Sequence, residues 1–387
     1  MKTNSSSRPK IVIIMPTYNE AENIKKMLPV LLSEYFPKIT NANMHLLVVD
    51  DNSPDGTGKL VTAAAKTHNN VHLLTGNKEG LGKAYVRGMK YAMSTLGADA
   101  VMEMDADFQH PPKFVKPMVE AYLAGAEYVI GARYIKGGSV PSEWAFSRKA
   151  ISFLGNLFIR VVLMKPSLHD LTTGFRLTKV KGVLDRIDLD NLMEPHRFAY
   201  KVDLLYQSVK NAKVVKEVPL EFAARTQETS KFSTKEMVAT FKVAIIIGIK
   251  DKQRLIKFAV VGFTGFVVNW VLLRVVRSAG APEMVAWALS TEAAILSNFT
   301  FNNIWTFKKE KISGLKGLVY KFLQFNFTSA GALIIQSIAG PVGVGLIGKQ
   351  YDFVVLAFVV AFLVLPYNYF MYNVVIWKTW KFGNKKS

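Results

Sequence analysis

The chain has 387 residues, 50% of them hydrophobic, with 49 Lys and Arg against 29 Asp and Glu, a formal net charge of +20. It contains no cysteine, which excludes disulfides, thiolate metal centres and cysteine nucleophiles. The basic residues are scattered and concentrate beside apolar spans, which argues against nucleic acid and for anionic lipid headgroups and anionic substrates as partners.

The stretch from Met1 to Lys10 is polar, and the apolar run before Pro16 is too short for a signal-peptide core, so the first domain is expected to stay cytoplasmic. Ile11 to Met15 and Leu46 to Val49 read as buried parallel strands, ended by Pro16 and by Asp50-Asp51. Between them, Glu20 to Tyr35 places Ile24, Met27, Leu28, Leu31 and Leu32 on one helical face. Similar units run through Val101-Met102 and Tyr128 to Ile130. They predict a parallel α/β sheet with helices on both faces and ligands beyond the carboxyl ends of its strands. Those ends carry Pro16 to Glu20, Asp50 to Ser53, Asp105 to Asp107 and Gly131 to Arg133.

From Lys235 to Lys250, the residues Met237, Phe241, Ile245 and Ile249 recur every four positions, predicting an amphipathic helix that lies on a membrane, with an ordinary domain-packing helix as the alternative. Four apolar spans follow, Phe258 to Val276, Met284 to Ile304, Leu318 to Ile347 and Phe353 to Trp377. Each can cover a hydrocarbon core of about 30 Å at about 1.5 Å per helical residue. The flanks Lys250 to Lys257, Lys308 to Lys321 and Lys378 to Lys386 are basic, which places both ends of a four-helix domain on the cytoplasmic side, with Arg274 and Arg277 as exceptions. Glu292 falls inside the second span, where a carboxylate needs a partner; either it pairs with Arg274 or it marks a lipid or ion path. The expected organisation is a catalytic domain over 1–232, an interface helix over 233–254, a four-helix membrane domain over 255–380 and a basic tail over 381–387.

Asp105 and Asp107 bring two carboxylates to one strand end and Gln109 adds a neutral oxygen. A hard cation such as Mg²⁺ needs few protein oxygens, because substrate phosphates and water complete its shell. Alone, such a pair is as readily a solvated turn. Its company favours a metal-bound nucleotide. Pro16, Tyr18, Glu20 and Asp51 can hold a base and ribose, Tyr18 by ring contact and the acids through hydroxyls. Asn77 to Gly88 opens a helix after a glycine-rich turn that serves either an anion or helix packing. Arg133, Arg148, Arg176, Arg225 and Lys231 could each be surface charges, but Arg133 follows a strand end directly and Arg225 with Lys231 precedes the membrane helix, so phosphate contacts are expected there. The histidines are dispersed, without a Ser-His-Asp order, and read as structural or surface residues.

Taken jointly, several motifs resemble inverting glycosyltransferase family 2, and within it the dolichol-phosphate mannose synthases, over most of residues 10–235. They are Pro16 to Glu20, Val49 to Thr57, Gly80 to Tyr85, Met104 to Pro112, Gly131 to Tyr134, Ser147 to Ser152 and Asp170 to Arg176. The membrane half is similar to GtrA-like domains at Phe258 to Gly265 and Asn298 to Phe307. The resemblance implies a GT-A nucleotide-sugar fold joined to an all-α membrane domain. It also implies that Pro16, Tyr18, Glu20, Val49 and Asp51 hold the nucleoside of GDP-mannose, with Asp105 and Ala106 also at the donor. Asp105, Asp107 and Gln109 would hold Mg²⁺ or Mn²⁺. Arg133, Arg148 and Ser152 would meet the phosphate of a dolichyl or polyprenyl phosphate, Arg225 and Lys231 would close over the donor, and Lys201 would join the same pocket. The chain departs from the family near Arg225, carrying Glu228 where glycine is usual.

The implied reaction is attack of the lipid phosphate on the anomeric carbon of mannose, with inversion and loss of GDP, at a multi-pass cell-membrane enzyme. A UDP-glucose-dependent glucosyltransferase shares the same acids and arginines. A processive polysaccharide synthase would carry a Gln-x-x-Arg-Trp motif, and no Arg-Trp pair occurs. A lipid-linked sugar flippase with a decayed catalytic head is disfavoured by the intact acids.

Overall fold

The computed structural model describes residues 8–224 and 234–380. The chain divides into two compact units, residues 1–248 and 249–387.

The first unit is built on a seven-stranded sheet. Its elements are β1 (Lys10–Thr17), α1 (Ala21–Pro29), β2 (Asn43–Asp50), α2 (Thr57–Thr67), β3 (Val71–Thr75), α3 (Leu81–Ser94) and β4 (Ala100–Glu103). There follow α4 (Val115–Leu123), β5 (Tyr128–Ala132), α5 (Phe146–Val162), β6 (Arg176–Lys179), α6 (Tyr200–Asn211), β7 (Val215–Pro219) and α7 (Thr234–Asp251). The strand order is β3-β2-β1-β4-β6-β5-β7. Side chains alternate across a strand. Ile11, Ile13 and Met15 of β1 therefore enter a core with α1, whose Ile24, Met27 and Leu28 are buried as the periodicity predicts. Val12 and Ile14 enter the opposite core, with Tyr85 and Met89 of α3. Beyond Pro29 the first helix widens into a π-helical turn, Val30–Tyr35, because proline has no N–H for the ladder.

The sheet is mixed rather than wholly parallel. β6 runs antiparallel to both β4 and β5, pairing Arg176 with Glu103 and with Ile130. A strand entering between parallel neighbours in reverse starts where they end, so the loop Asp170 to Phe175 is delivered to the carboxyl ends of β4 and β5. The glycines of the Gly80 to Tyr85 motif serve close packing: a Cβ at Gly80 or Gly82 would strike the backbone of His196 or Pro195.

α7 turns its small residues inward. Ala239, Val243, Ala244 and Ile247 join the core over β5 with α5 and α6, and a Cβ on Gly248 would meet Val162 at 2.9 Å. Of the stripe expected to face lipid, Ile245 and Ile249 are exposed, while Met237 and Phe241 line a cavity described below.

The second unit is helical: α8 (Gln253–Ser278), α9 (Glu283–Phe301), α10 (Leu315–Ile347), α11 (Asp352–Val359) and α12 (Leu365–Met371). Among the described residues, three helical stretches are long and apolar enough to cross a bilayer: Gln253–Ser278, Leu315–Ile347 and Ala357–Ile376. The second expected span is helical as α9, of 19 residues, but is not among these three. Phe258, Phe299, Phe307, Phe325, Tyr372 and Trp377 form one aromatic cluster, with Phe307 and Trp377 stacked at 4.2 Å. Asn303 ties it, exchanging hydrogen bonds with the backbone of Ile312 and accepting one from Trp377 Nε1 at 3.2 Å. Glu292 does not pair with Arg274. Its carboxylate accepts a hydrogen bond from Asn326 Nδ2 at 3.1 Å, while the Arg274 guanidinium lies 4.2 Å over the Trp270 ring.

Candidate functional site

A cavity of about 780 Å³ opens at the carboxyl ends of the central strands. At its first edge the Asp50-Asp51 pair, at the end of β2 and just beyond it, divides its work. Asp50 is consumed by the turn, accepting from Thr17 Oγ1 at 3.0 Å and from the Ser53 N–H at 2.9 Å. Asp51 lines the cavity and is paired with Arg87. Burial raises the Asp51 carboxyl above the usual range, against the opposing pull of Arg87. Pro16, Tyr18 and Glu20 also line the cavity, and the Lys78 ammonium sits 3.4 Å over the Tyr18 ring.

After β4, Met104 is buried and the chain turns so that Asp105, Ala106, Asp107 and Gln109 all reach the cavity. The turn needs Phe108 at a φ of 62°, a left-handed conformation uncommon for a bulky residue. Asp107 Oδ1 accepts the Gln109 N–H at 3.1 Å. Asp105 is held from several sides. Its Oδ1 accepts the Tyr85 hydroxyl at 2.7 Å, and its N–H donates to His110 Nδ1 at 3.0 Å. Its Oδ2 lies 3.9 Å from both His110 Nδ1 and Lys201 Nζ. His110 is fully buried, stacked on Phe175, and pushed down to about 4, chiefly by burial, with Asp105 pulling the other way; it is a neutral buttress at neutral pH. Burial, with Asp105 next, raises the Tyr85 phenol well above its ordinary range, so it remains a donor.

Lys201 is wholly buried on α6, lines the cavity, and its Nζ has no hydrogen-bond acceptor among the described residues. A Cβ at Gly174 would strike that ammonium, so glycine is what leaves room for it. Beneath lies the buried Glu103, which accepts from the Tyr200 hydroxyl at 3.1 Å; burial raises its carboxyl, opposed by Arg176 and Lys201. Arg176 is likewise buried and donates to the Lys201 carbonyl, so this expected cation is a structural one.

Among the described residues no group of three or more His, Cys, Asp or Glu gathers as a metal cluster. What the cavity offers just beyond β4 is the carboxylates of Asp105 and Asp107 and the amide oxygen of Gln109. That donor set fits a hard divalent cation that takes the rest of its shell from phosphate and water.

On the opposite side Arg133 is almost fully buried against Asp170. Its Nε and backbone N–H donate to Asp170 Oδ2 at 2.7 and 3.0 Å, and its Nη2 to Oδ1 at 2.8 Å. Nη2 also donates to Thr172 Oγ1 at 2.6 Å. Burial alone would raise the Asp170 carboxyl; the Arg133 charge and the hydrogen bonds outweigh it and hold the acid below its usual range. Arg133 is therefore fixed in place before any ligand arrives. α5 contributes Arg148, whose guanidinium lies 4.0 Å over Trp144, and Ser152, which is 2.6 Å from the Tyr134 hydroxyl. The outer face of α5 exposes Phe146, Leu154 and Val161, the first at 86%, while the exposed Ile151 lines the cavity.

Nearly all of the expected site thus converges on one cavity. Val49 does not: it is fully buried in the core under α3. Arg225 and Lys231 lie outside the described residues. Trp144 lines the cavity without having been expected, and Lys78, Tyr85, His110, Asp170 and Thr172 lay inside recognised stretches without an assigned role.

Comparison with known proteins gives two family matches, glycosyl transferase family 2 over residues 12–185 and the GtrA/DPMS transmembrane domain over residues 257–377. The chain is 32% identical over 337 residues to a dolichol-phosphate mannosyltransferase of Pyrococcus furiosus, covering 85% of this chain and 89% of that protein. It is 36% identical over 238 residues to a polyprenol monophosphomannose synthase of Mycolicibacterium smegmatis, covering 61% and 86%. It is also 36% identical over 225 residues to an undecaprenyl-phosphate mannosyltransferase of Micrococcus luteus, covering 58% and 88%.

Proposed function

We propose a specific reaction for this chain, which belongs to glycosyl transferase family 2 and continues into a GtrA/DPMS transmembrane domain. The reaction is transfer of mannose from GDP-mannose to a dolichyl or other polyprenyl phosphate, with inversion, releasing GDP. The chain is a membrane-bound glycosyltransferase. The observation that carries the reading is that one cavity joins the acids Asp105 and Asp107 to the pre-aligned Arg133 and to α5, whose outer face is apolar.

Tyr18, Glu20 and Asp51 are assigned to the nucleoside, Tyr18 by its ring and the acids through hydroxyls. Mg²⁺ or Mn²⁺ held by Asp105, Asp107 and Gln109 would neutralise the diphosphate as it leaves. Lys201 adds a buried positive charge on the same side, where an anion supplies the acceptor its ammonium lacks. Arg133, Arg148 and Ser152 orient the acceptor phosphate. A phosphate monoester has a second pKa of about 6, so the nucleophile is ionised at neutral pH and needs no protein base. This agrees with His110 being neutral and buttressing Asp105 from its backbone side. Positioning and electrostatics then carry the rate. Arg225 and Lys231 are assigned to closing over the donor on family resemblance alone.

The exposed apolar side chains of α5 suit contact with the bilayer from which a lipid acceptor comes. A cytoplasmic catalytic unit at the cell membrane is supported by the basic flanks of the spans. Both ends share one side only if α9 also crosses; its 19 residues reach about 28 Å at about 1.5 Å each, enough for a thin hydrocarbon core.

The test is transfer of labelled sugar from GDP-mannose, and in parallel UDP-glucose, to a polyprenyl phosphate in detergent, with and without Mn²⁺. Metal-dependent mannosyl lipid is expected. Glucosyl lipid instead would overturn the donor, and no lipid product from either would overturn the transfer itself.

A further inference from the structure

The motif Gly80 to Tyr85 is absorbed by neither the nucleoside nor the acceptor. Its glycines admit the chain around Pro195 and His196 against the start of α3, and its last residue, Tyr85, is wholly buried one turn further on. Tyr85 has one polar atom, and that atom is spent on Asp105 Oδ1 at 2.7 Å. Its ring packs beside Tyr200 at 6.1 Å and under the Lys201 ammonium at 5.3 Å. The two oxygens of Asp105 thus meet different groups: Oδ1 accepts a neutral hydroxyl, and Oδ2 lies 3.9 Å from the Lys201 ammonium. Asp105 keeps 28% of its side chain exposed and lines the cavity, and Tyr85 holds it from the core side.

We infer that Tyr85 is a positioning residue for Asp105, holding the carboxylate in the orientation from which it takes a divalent cation. The inference rests on the assignment of Asp105 and Asp107 to that cation. A hydroxyl suits the task better than a charged donor, because it fixes the carboxylate without neutralising it. Lys201 alone could not do this: at 3.9 Å it attracts Asp105 with little directionality, and it sits on the oxygen opposite. Outer-shell partners of this kind typically change metal affinity by about 10- to 100-fold when removed.

The experiment is a Mn²⁺ titration followed by electron paramagnetic resonance, on the full chain in detergent with GDP present, for wild type, Tyr85→Phe and Tyr200→Phe. Tyr85→Phe keeps the buried ring and removes only the hydroxyl. Tyr200→Phe removes an equally buried hydroxyl from the same cluster, one that donates to Glu103 and not to Asp105. The expected result is Mn²⁺ affinity lowered about 10-fold or more in Tyr85→Phe and unchanged in Tyr200→Phe. In turnover, the Mn²⁺ concentration for half-maximal rate should rise in Tyr85→Phe while the rate at saturating Mn²⁺ returns toward wild type. Wild-type affinity in Tyr85→Phe, or an equal loss in both variants, overturns the positioning role and leaves the cation assignment standing. Absence of Mn²⁺ binding by the wild type overturns the cation assignment itself, and the inference with it.

Discussion

Asp170→Asn isolates what the anchoring of Arg133 is worth. The wild-type carboxylate is fully buried, accepts three N–H groups of Arg133, and is further tied by the N–H groups of Thr172 and Thr173 at 3.2 and 3.1 Å. Asparagine keeps the shape but removes the charge and replaces one acceptor oxygen by a donor facing a guanidinium. Removing one partner of a buried pair costs about 3–5 kcal/mol. The retained acceptor favours the lower end, about 3 kcal/mol. For a domain of this size about 1 kcal/mol moves the melting temperature by about 2–4 °C, so a fall of about 6–12 °C is expected. Because folding depresses the Asp170 carboxyl, its contribution is complete above the ordinary aspartate range and is lost as pH falls through the lower folded value. The gap between wild type and variant should therefore narrow in acid. The assay pairs thermal unfolding across pH with transfer measured against lipid-phosphate concentration, where the half-saturating lipid concentration should rise. Wild-type melting and an unchanged lipid response would refute the reasoning, since Arg133 would then need no anchor.

Asp107→Ala should abolish transfer while the melting curve stays near wild type; full turnover in that variant would remove the acid pair from the mechanism. Gly82→Ala should cost about 1–3 kcal/mol by overpacking, because the added methyl meets the Pro195 carbonyl rather than a side chain that can yield; chemical denaturation measures it. His45, stacked with His72 and lowered to about 4 mainly by burial and then by His72 and Lys10, should make folding less stable as pH falls from about 6.5 toward 4, since the unfolded chain takes up its proton first. Melting at pH 7 and pH 5 should differ less in His45→Gln than in wild type.

The parts of the fold that were legible obey local periodicity. Alternation in Ile11 to Met15 sends successive side chains into two cores, and the stripe from Ile24 to Leu32 packs as a helix. The acid pair was legible because it follows a strand end directly. Where local pattern misled, close packing decided. The bulkiest stripe of α7 was expected to face lipid; Ile245 and Ile249 are exposed, but Met237 and Phe241 line the cavity, while Ala239 and Val243 enter the core and Gly248 lets the helix approach Val162. Glu292 and Asn326 lie on different helices 34 residues apart, a helix register that no local pattern encodes.

The least legible feature organises the site. Arg176–Lys179 has no apolar run, so nothing local marks it as a central strand, still less a reversed one. Its reversal sets Arg176 opposite Glu103 and brings Asp170 to Arg133. Lys201, in a stretch that reads as an ordinary helix, is then enclosed beside Arg176, Glu103 and Asp105. A buried lysine or glutamate is costly by itself, and each is tolerable here only because the others are present. The charges under the cavity are therefore one cooperative unit drawn from strands and a helix far apart in the chain. The same reversal that hides β6 from a reading of local pattern is what assembles them.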